Sequence, residues 1–478
     1  MNKRYINTIL LCSCICFSII GCKVPAVIQQ KENRTVPETF AGNNDTTNTS
    51  AVQWRNFFTD QFLISLLDTA LKHNQELLIT LQEIEIARNE IGMRQGKILP
   101  HVSYRAGIGV EKVARYTSQG AGDASTDIKP GKAMPEPLGD FNLSAVAGWE
   151  VDIWRKLRNA KKGAITKYLS TIEGKNFVIT NLIAEIAASY YELIALDNQL
   201  AIVQQNIALQ NNALEIVKVQ KQASKATELA VKKFEAEVYS SQSLEFTILQ
   251  RITETENRIN LLAGRFPQPV ARNHADIATN LLPTTINSGI PVQLLKNRPD
   301  IKQAELELAA SKLDVKVARA EFYPSLDLSA SFGVQAFNPA YITRLPESLL
   351  YSLVGDLVGP LINRRAIKAE FYNANARQLQ AMFEYERSII SACLEISSTL
   401  AKIQNLQKSY TLKSKEVDAL TQSIDISADL FKSARADYLE VLMTQRDALD
   451  AKLELVDTIK EQLIATVNIY KSLGGGWQ

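Results

Sequence analysis

The chain has 478 residues, of which 46% are hydrophobic and 22% charged, so it is long and apolar enough to bury a substantial core. Its 53 Lys and Arg residues nearly balance its 51 Asp and Glu residues, and a net charge of +2 lacks the basic excess of a nucleic-acid-binding protein. Three histidines and five cysteines, four of them within the first 22 residues, leave few ligands for a metal site or a disulfide framework.

The N-terminus has the pattern of a secretion signal. Lys3 and Arg4 precede a mostly apolar stretch over residues 5–20, which is shorter than the roughly 20 residues that a membrane-spanning helix needs. A glycine and then Cys22 follow directly. A small residue before a cysteine at this place resembles the bacterial lipoprotein signal, so we expect residues 1–21 to be removed and Cys22 to carry a covalent lipid. The alternative is a hydrophobic leader that happens to be rich in cysteine.

The remaining chain is predicted to contain two similar halves, residues 61–267 and 293–478. Residues 22–60 are predicted to link the leader to the first half, and the proline-containing residues 268–292 to link the halves. Each half has the same predicted order of parts: a helix, a strand, a loop, a second strand, a long helix, a turn and another long helix.

Four segments alternate between apolar and polar residues, as strands do when one face is apolar. They lie near residues 102–111 and 141–150 in the first half and near 325–335 and 349–358 in the second. Strands that cross a membrane show this pattern, and strands of a soluble sheet are the alternative. In lipid, four strands cannot close a barrel, since small single-chain barrels need about eight. Because lipid offers no partner to an open strand edge, the missing strands would have to come from other chains.

Two stretches, residues 175–263 and 361–473, contain neither glycine nor proline. Such unbroken runs, with apolar residues at three- and four-residue spacing, predict long coiled-coil-like helices. The apolar pattern lapses into short polar sequence near 222–227 and 432–437. Each run is therefore predicted to fold back once, into one helical hairpin over residues 155–264 and a second over 361–473.

The halves also share short sequence matches. Residues 99–104 match residues 323–328 at an offset of 224, and residues 262–264 match residues 473–475 at an offset of 211. Asp152 corresponds to Pro360 at an offset of 208, so the 16-residue difference from the offset of 224 lies between the two strands of each pair, where the first half has the longer loop, over residues 112–140. The matches indicate an internal duplication.

A further set of motifs is family-specific. The longest are the sequences LLKNRPDI at 294–301 and ARAEFYPSL at 318–326, and shorter ones lie at 149–153, 261–264, 304–305 and 473–477. Together they resemble the outer-membrane efflux protein family (the TolC-like and OprM-like lipoproteins) over essentially all of residues 54–478. The resemblance implies a mainly α-helical homotrimer in the cell outer membrane, held by lipid. In it, each chain would give four strands to a twelve-stranded transmembrane β-barrel, continued by an α-helical barrel in the periplasm.

The function implied by the resemblance is passive transport. The trimer would be the exit duct of a tripartite efflux system and would receive its substrate from an inner-membrane pump and a periplasmic adaptor. We expect no enzymatic activity, no cofactor other than the lipid on Cys22, no bound metal and no nucleic-acid partner. The alternative is a periplasmic coiled-coil adaptor or structural lipoprotein, which would not need polar strand residues facing a lumen. A hydrolase is disfavoured, because the sequence has neither a nucleophile elbow nor a cluster of metal ligands.

The resemblance also assigns candidate site residues. The helical turns are expected to lie at the periplasmic end and to dock the adaptor through Ser224, Thr227, Leu229, Ala434, Asp437 and Tyr438. The family usually has a glycine where Ser224 and Ala434 stand. The helix after the second turn is expected to close the periplasmic aperture through Leu439, Glu440 and Met443, the last in place of an aspartate common in the family. Three leucines on the axis would form a dewetting constriction, and three glutamates would concentrate cations. Ordinary packing positions of a coiled coil are the alternative.

Three other motifs are predicted to be structural. Arg298 and the Pro-Asp pair after it suit the start of a helix. Trp149 and Trp154, at the end of a strand, suit interfacial anchoring or packing. The triple glycine at 474–476 is predicted to end the last helix.

Overall fold

The computed structural model describes residues 24–26, 30–39, 49, 52–273, 289–360, 362, 364–433 and 435–477. Two of the predicted site residues, Cys22 and Ala434, lie outside the described residues. The chain is predominantly helical, as predicted, and each of the four alternating segments contains a strand.

The first half begins with the helices α1 (Trp54–Phe57), α2 (Gln61–His73) and α3 (Gln75–Gly96), followed by strand β1 (His101–Glu111). The connection from β1 to β4 (Leu138–Val151) contains the short helix α4 (Ser118–Ser125) and a two-stranded ribbon, β2 (Asp127–Lys129) and β3 (Lys132–Ala133). The long helices α5 (Lys156–Gln222) and α6 (Glu228–Leu262) complete this half.

The second half repeats this order without the ribbon. It contains α7 (Leu294–Asn297), α8 (Pro299–Ala320), β5 (Ser325–Ala336), β6 (Leu349–Val358), α9 (Arg365–Lys432) and α10 (Tyr438–Ser472). The helical hairpins turn at 223–227 and 433–437, where the apolar pattern of the sequence lapses.

The described chain divides into two compact units, and each unit draws on both halves. The sheet unit contains Glu85–Leu169 and Leu306–Met382, and the helical unit contains the described residues of Glu32–Ile84, Ser170–Glu305 and Phe383–Gln478. The sequence repeats are therefore not separate compact bodies, because equivalent parts of the two halves pack together.

The sheet unit is built on one antiparallel sheet with the strand order β1-β4-β5-β6. The central pairing of β4 with β5, in which Phe141 lies opposite Ala336, joins the two halves. Beside the sheet, Phe322 and Phe371 meet edge to face with ring centroids 5.6 Å apart. Both rings belong to a small buried cluster with Val315.

The helical unit has a large core, in which α2, α5, α6 and α10 bury apolar side chains. Phe57 stacks on Tyr470 at 4.0 Å between ring centroids, and the Tyr470 hydroxyl donates to the carbonyl oxygen of Val52 at 2.6 Å. Burial raises the pKa of Tyr470 to about 12. Tyr190 is also fully buried, and its hydroxyl donates to Oδ2 of Asp60 at 2.7 Å.

Among the described helices, α5 contains a stretch that is long and apolar enough, by length and composition alone, to cross a membrane. Within the protein, 61% of that stretch is buried. The apolar residues of α5 therefore serve the core of the helical unit.

Helices α6 and α10 end in the same way. The residue after each C-cap, Gly264 or Gly474, has a positive φ of 67° or 89°, a conformation that glycine adopts without strain. The next N–H closes the turn in each case: Arg265 donates to Asn260 at 2.9 Å, and Gly475 donates to Tyr470 at 3.0 Å. The structural offset is 210 residues, so the sequence match of Gly264 with Gly475 was wrong by one position. Sequence similarity cannot distinguish three consecutive glycines, whereas only one of them occupies the C-terminal position of the helix.

Candidate functional site

The sheet has one apolar face. Cross-strand neighbours on this face are apolar along all four strands: Val102, Tyr104, Ile108 and Val110 in β1, Phe141, Leu143 and Ala145 in β4, Leu328, Phe332 and Val334 in β5, and Tyr351, Leu353 and Leu357 in β6. Many of these side chains are open to the surroundings, with 87% of Tyr104, 83% of Ile108 and 81% of Leu353 exposed. An exposed apolar surface of this kind marks contact with a membrane or another protein.

The opposite face is mostly polar, and its side chains bond to one another. Nε2 of Gln335 donates to Oδ1 of Asp140 at 2.7 Å across β5 and β4. The hydroxyls of Ser331 and Ser352 lie 2.7 Å apart across β5 and β6. This face is suited to contact with water.

Both edges of the sheet are open. Strands β1 and β6 each pair with one neighbour, β4 and β5 respectively. The outer N–H and C=O groups of β1 and β6 thus have no strand partner within the described chain. An open edge is a template for pairing with another strand.

Two tryptophans hold the end of the sheet from which the long helices start. Nε1 of Trp149 donates to the carbonyl oxygen of Ile98 at 2.9 Å. Nε1 of Trp154 donates to the carbonyl oxygen of Pro324 at 2.8 Å, and its ring stacks on Tyr323 at 4.7 Å. Both side chains remain partly exposed, so they combine packing with an outward-facing aromatic surface.

The turn between α5 and α6 contains a serine in the left-handed backbone conformation that glycine usually adopts. Ser224 has a φ of 56°, in the left-handed region that costs about 1–2 kcal/mol for residues with a Cβ. The N–H of Lys225 donates to the carbonyl oxygen of Gln220 at 2.8 Å and closes the end of α5. Oγ1 of Thr227 accepts from the N–H of Ala230 at 3.2 Å and caps the start of α6.

The turn between α9 and α10 has an equivalent closing hydrogen bond and N-cap. The N–H of Arg435 donates to the carbonyl oxygen of Leu430 at 2.8 Å. Asp437 is the N-cap of α10, and its Oδ1 accepts from the N–H of Tyr438 at 2.7 Å. Thr227 and Asp437 therefore both have a structural duty, which the sequence analysis did not assign.

One apolar cluster brings the two turns together. This turn-end cluster buries Leu214, Val217, Ala230, Val231, Phe234, Val238 and Leu442, with Ala213, Ala226, Phe431 and Tyr438 packed against it. Tyr438, a predicted docking residue, is thus half-buried against the cluster, whereas Leu229 is 59% exposed. Leu229 is a large apolar residue that the first turn leaves exposed.

The three predicted aperture residues share one side of α10. Leu439 is 47% exposed, Met443 is 56% exposed, and Glu440 is exposed beside them. Residues spaced by four lie on the same face of a helix. The neighbouring Val441 and Leu442 are buried. Within the described chain, the aperture residues are therefore not core positions.

Arg298 is a buried junction that the sequence analysis described only as a helix start. Its guanidinium bonds to both carboxylate oxygens of Asp300, at 3.0 and 2.7 Å, and to Glu395 at 2.9 Å. Nη1 also donates to the carbonyl oxygen of Ser472 at 2.8 Å. Burial lowers the pKa of Arg298, but the hydrogen bond and charge of Asp300 and the charge of Glu395 raise it more, so the net pKa is above its ordinary value.

The comparison with known proteins identifies the family. The sequence model of the family described as outer membrane efflux protein matches residues 66–265 and 290–475, which are most of the chain. This chain belongs to the outer membrane efflux protein family. The resemblance inferred from the sequence motifs is thereby confirmed.

Relatives of this outer membrane efflux protein share most of its length. The pyoverdine export outer membrane protein OpmQ of Pseudomonas aeruginosa is 29% identical over 429 residues, covering 89% of this chain and 88% of OpmQ. The probable outer membrane lipoprotein SilC of Salmonella typhimurium is 24% identical over 469 residues, covering 96% of this chain and 97% of SilC. The open state of the Neisseria gonorrhoeae outer membrane channel MtrE has the same fold, with a TM-score of 0.82 at 20% identity, covering 95% of this chain and 99% of MtrE.

Membership of the outer membrane efflux proteins decides between the functions considered from the sequence. The protein serves efflux and transport at the outer membrane. The alternative, that the chain is itself a periplasmic coiled-coil adaptor or a structural lipoprotein, is set aside. The matched region includes both helical turns and the start of α10, and Cys22 lies before it. Among the described residues, no group of three or more His, Cys, Asp and Glu side chains is arranged to hold a metal ion.

Proposed function

We propose that this outer membrane efflux protein is one third of a homotrimeric exit duct in a tripartite efflux system. The observation that carries the proposal is the sheet with one exposed apolar face and one hydrogen-bonded polar face. Apolar surface in water costs about 25 cal/mol per Å², so the apolar face favours lipid as its surroundings. The polar face would then line a water-filled passage.

The open edges of β1 and β6 support the trimer. In lipid, every backbone N–H and C=O group needs a protein partner. Pairing of β1 in one chain with β6 in the next would satisfy both edges, and three chains would close a twelve-stranded β-barrel. The long helices of three chains would continue this wall as an α-helical barrel in the periplasm.

The duct is passive in this proposal. It would carry out no enzymatic reaction and need no cofactor other than the lipid on Cys22. A pump in the inner membrane would supply the energy, and an adaptor in the periplasm would join the pump to the duct. The adaptor would contact the two turns through the predicted docking residues Ser224, Thr227, Leu229, Ala434, Asp437 and Tyr438, among which Leu229 offers a large exposed apolar side chain.

The aperture would lie at the start of α10. Leu439 and Met443 would meet their copies near the axis as an apolar constriction, and Glu440 would form an acidic ring beside it. Their exposure in one chain supports this assignment, because core positions of the same helix are buried.

The protein would also be anchored by lipid on Cys22. The signal-like pattern of residues 1–21 and the name of SilC as a probable outer membrane lipoprotein support this anchor. Two or more acyl chains are enough for stable attachment, whereas a single chain is marginal.

Purified full-length protein tests the duct directly. Its mass in detergent should equal three chains, and it should produce discrete channel currents in a planar lipid bilayer. A stable monomer that conducts would contradict the shared barrel. A trimer that never conducts, even with the aperture variants described in the Discussion, would contradict the duct.

A further inference from the structure

The connection between β1 and β4 reaches the connection between β5 and β6. Nζ of Lys129, in the ribbon, lies 3.4 Å from the ring centroid of Tyr341, and Cζ of Arg344 lies 5.0 Å from the same centroid. A hydrogen bond from Lys129, its charge and the charges of Lys132 and Arg344 lower the pKa of Tyr341. Tyr341 is therefore held between cations from two different connections.

The contact borders an open cavity of about 750 Å³ at the strand ends that the two connections join. Glu111, Asp140 and Gln335 line it from the polar face, and Lys129 and Tyr341 line it from the connections. The ribbon and the second connection thus lie beside the end of the surface that would line the passage.

This end of the sheet is the far end from the helices. The connections join Glu111 to Leu138 and Ala336 to Leu349, whereas α5 and α9 start beyond Val151 and Val358 at the other end of the strands. If the helices are periplasmic, as the proposed function requires, these connections face the exterior.

We propose that the ribbon forms a second constriction, at the outer mouth of the duct, which is fastened by Lys129 and Arg344 on Tyr341. The inference rests on the proposed function. It adds to the duct a constriction that limits the size of the solutes that leave through the outer mouth. Three copies of the ribbon around the mouth would narrow it from all sides. A cation–π contact at an exposed site is weak enough to open for passing solute.

Thiol labelling of intact cells from outside tests this constriction without depending on the periplasmic aperture. Gln335→Cys places a thiol on the exposed polar face beneath the ribbon. A small membrane-impermeant maleimide should react readily, and a polyethylene-glycol maleimide should react slowly. Tyr341→Ala, and separately Lys129→Gln, should each raise the rate with the large reagent about fivefold, as expected for loss of an exposed cation–π fastening.

The matched control is Tyr116→Ala, because Tyr116 lies in the connection between β1 and β4, as Lys129 does, and is fully exposed. It should leave both rates unchanged, and the unsubstituted chain, whose Cys393 is half-buried, provides the blank. Equal rates with the large reagent in all backgrounds would overturn the constriction and leave the duct intact. If even the small reagent fails to reach Gln335→Cys, the outward orientation is wrong, and the proposed function fails with the constriction.

Discussion

Nη1 of Arg298 donates a hydrogen bond of 2.8 Å to the carbonyl oxygen of Ser472, the last residue of α10. The first half has the same relationship 224 and 210 residues earlier, where Nδ2 of Asn74 donates at 2.9 Å to the carbonyl oxygen of Leu262, the last residue of α6. Each donor precedes a helix, α8 or α3, and ties its start to the end of the hairpin. The two halves thus share an equivalent hydrogen bond, although its donor is an amide in Asn74 and a guanidinium in Arg298.

We expect Arg298→Ala to destabilise the protein by about 3 kcal/mol, because it leaves the Asp300 and Glu395 carboxylates without their partner in a buried junction. The midpoint of denaturant unfolding in detergent measures the loss. Arg387→Ala is the matched control, since Arg387 pairs with Glu384 on one helix and its side chain is 75% exposed. This control should change stability by less than about 1 kcal/mol. Equal effects of the two variants would contradict the role of the junction.

Ser224→Gly should stabilise the helical hairpin by about 1 kcal/mol, because glycine adopts the positive φ of this position without strain. The same unfolding midpoint should rise. Ser243→Gly, at an exposed position inside α6, should instead lower stability by roughly 0.5–1 kcal/mol. A fall in the midpoint for Ser224→Gly would mean that the hydroxyl matters more than the backbone conformation.

Leu439→Ala should increase channel conductance with little loss of stability, because the side chain is half exposed and is proposed to narrow the passage. Leu442→Ala is the matched comparison on the same helix turn. Leu442 is buried in the turn-end cluster, so its truncation should cost about 2–5 kcal/mol of stability. Unchanged conductance in Leu439→Ala would place the aperture elsewhere.

Glu440→Gln should reduce the preference of the channel for cations, because it removes the proposed ring of negative charge. The reversal potential across a salt gradient measures this preference. Glu416→Gln, which removes a carboxylate from an exposed position of α9, should leave the reversal potential unchanged. A shift of equal size in both variants would show that general surface charge, and not the ring, sets the preference.

Adaptor docking should be tested at Leu229, which is exposed and has no capping duty. Leu229→Arg should abolish co-purification of the adaptor and leave the trimer intact. Thr227→Ala is a poorer test, because loss of the N-cap by itself costs about 1 kcal/mol, while Thr227→Ser keeps the cap and should preserve docking. If Leu229→Arg dissociates the trimer, the residue is a contact between copies of this chain.

The local parts of this protein could be read from its sequence, because their signals are local. Strand alternation has a period of two residues, and helical seams have a spacing of three or four. The apolar spacing is interrupted by short polar sequence at 222–227 and 432–437. These interruptions are also local signals, and they mark the two turns of the structure. Only the glycine that the family usually has at this position indicated the positive φ of Ser224, since a serine by itself does not predict that conformation.

The tertiary structure alone decided which distant parts meet. The strand order places β4 against β5, so the compact units mix the two halves. Arg298 reaches Glu395 and Ser472, which are 97 and 174 residues away, and Lys129 reaches Tyr341 from another connection. These contacts depend on long-range pairing and packing, which leave no period in the sequence, because either partner would fit many other surroundings equally well.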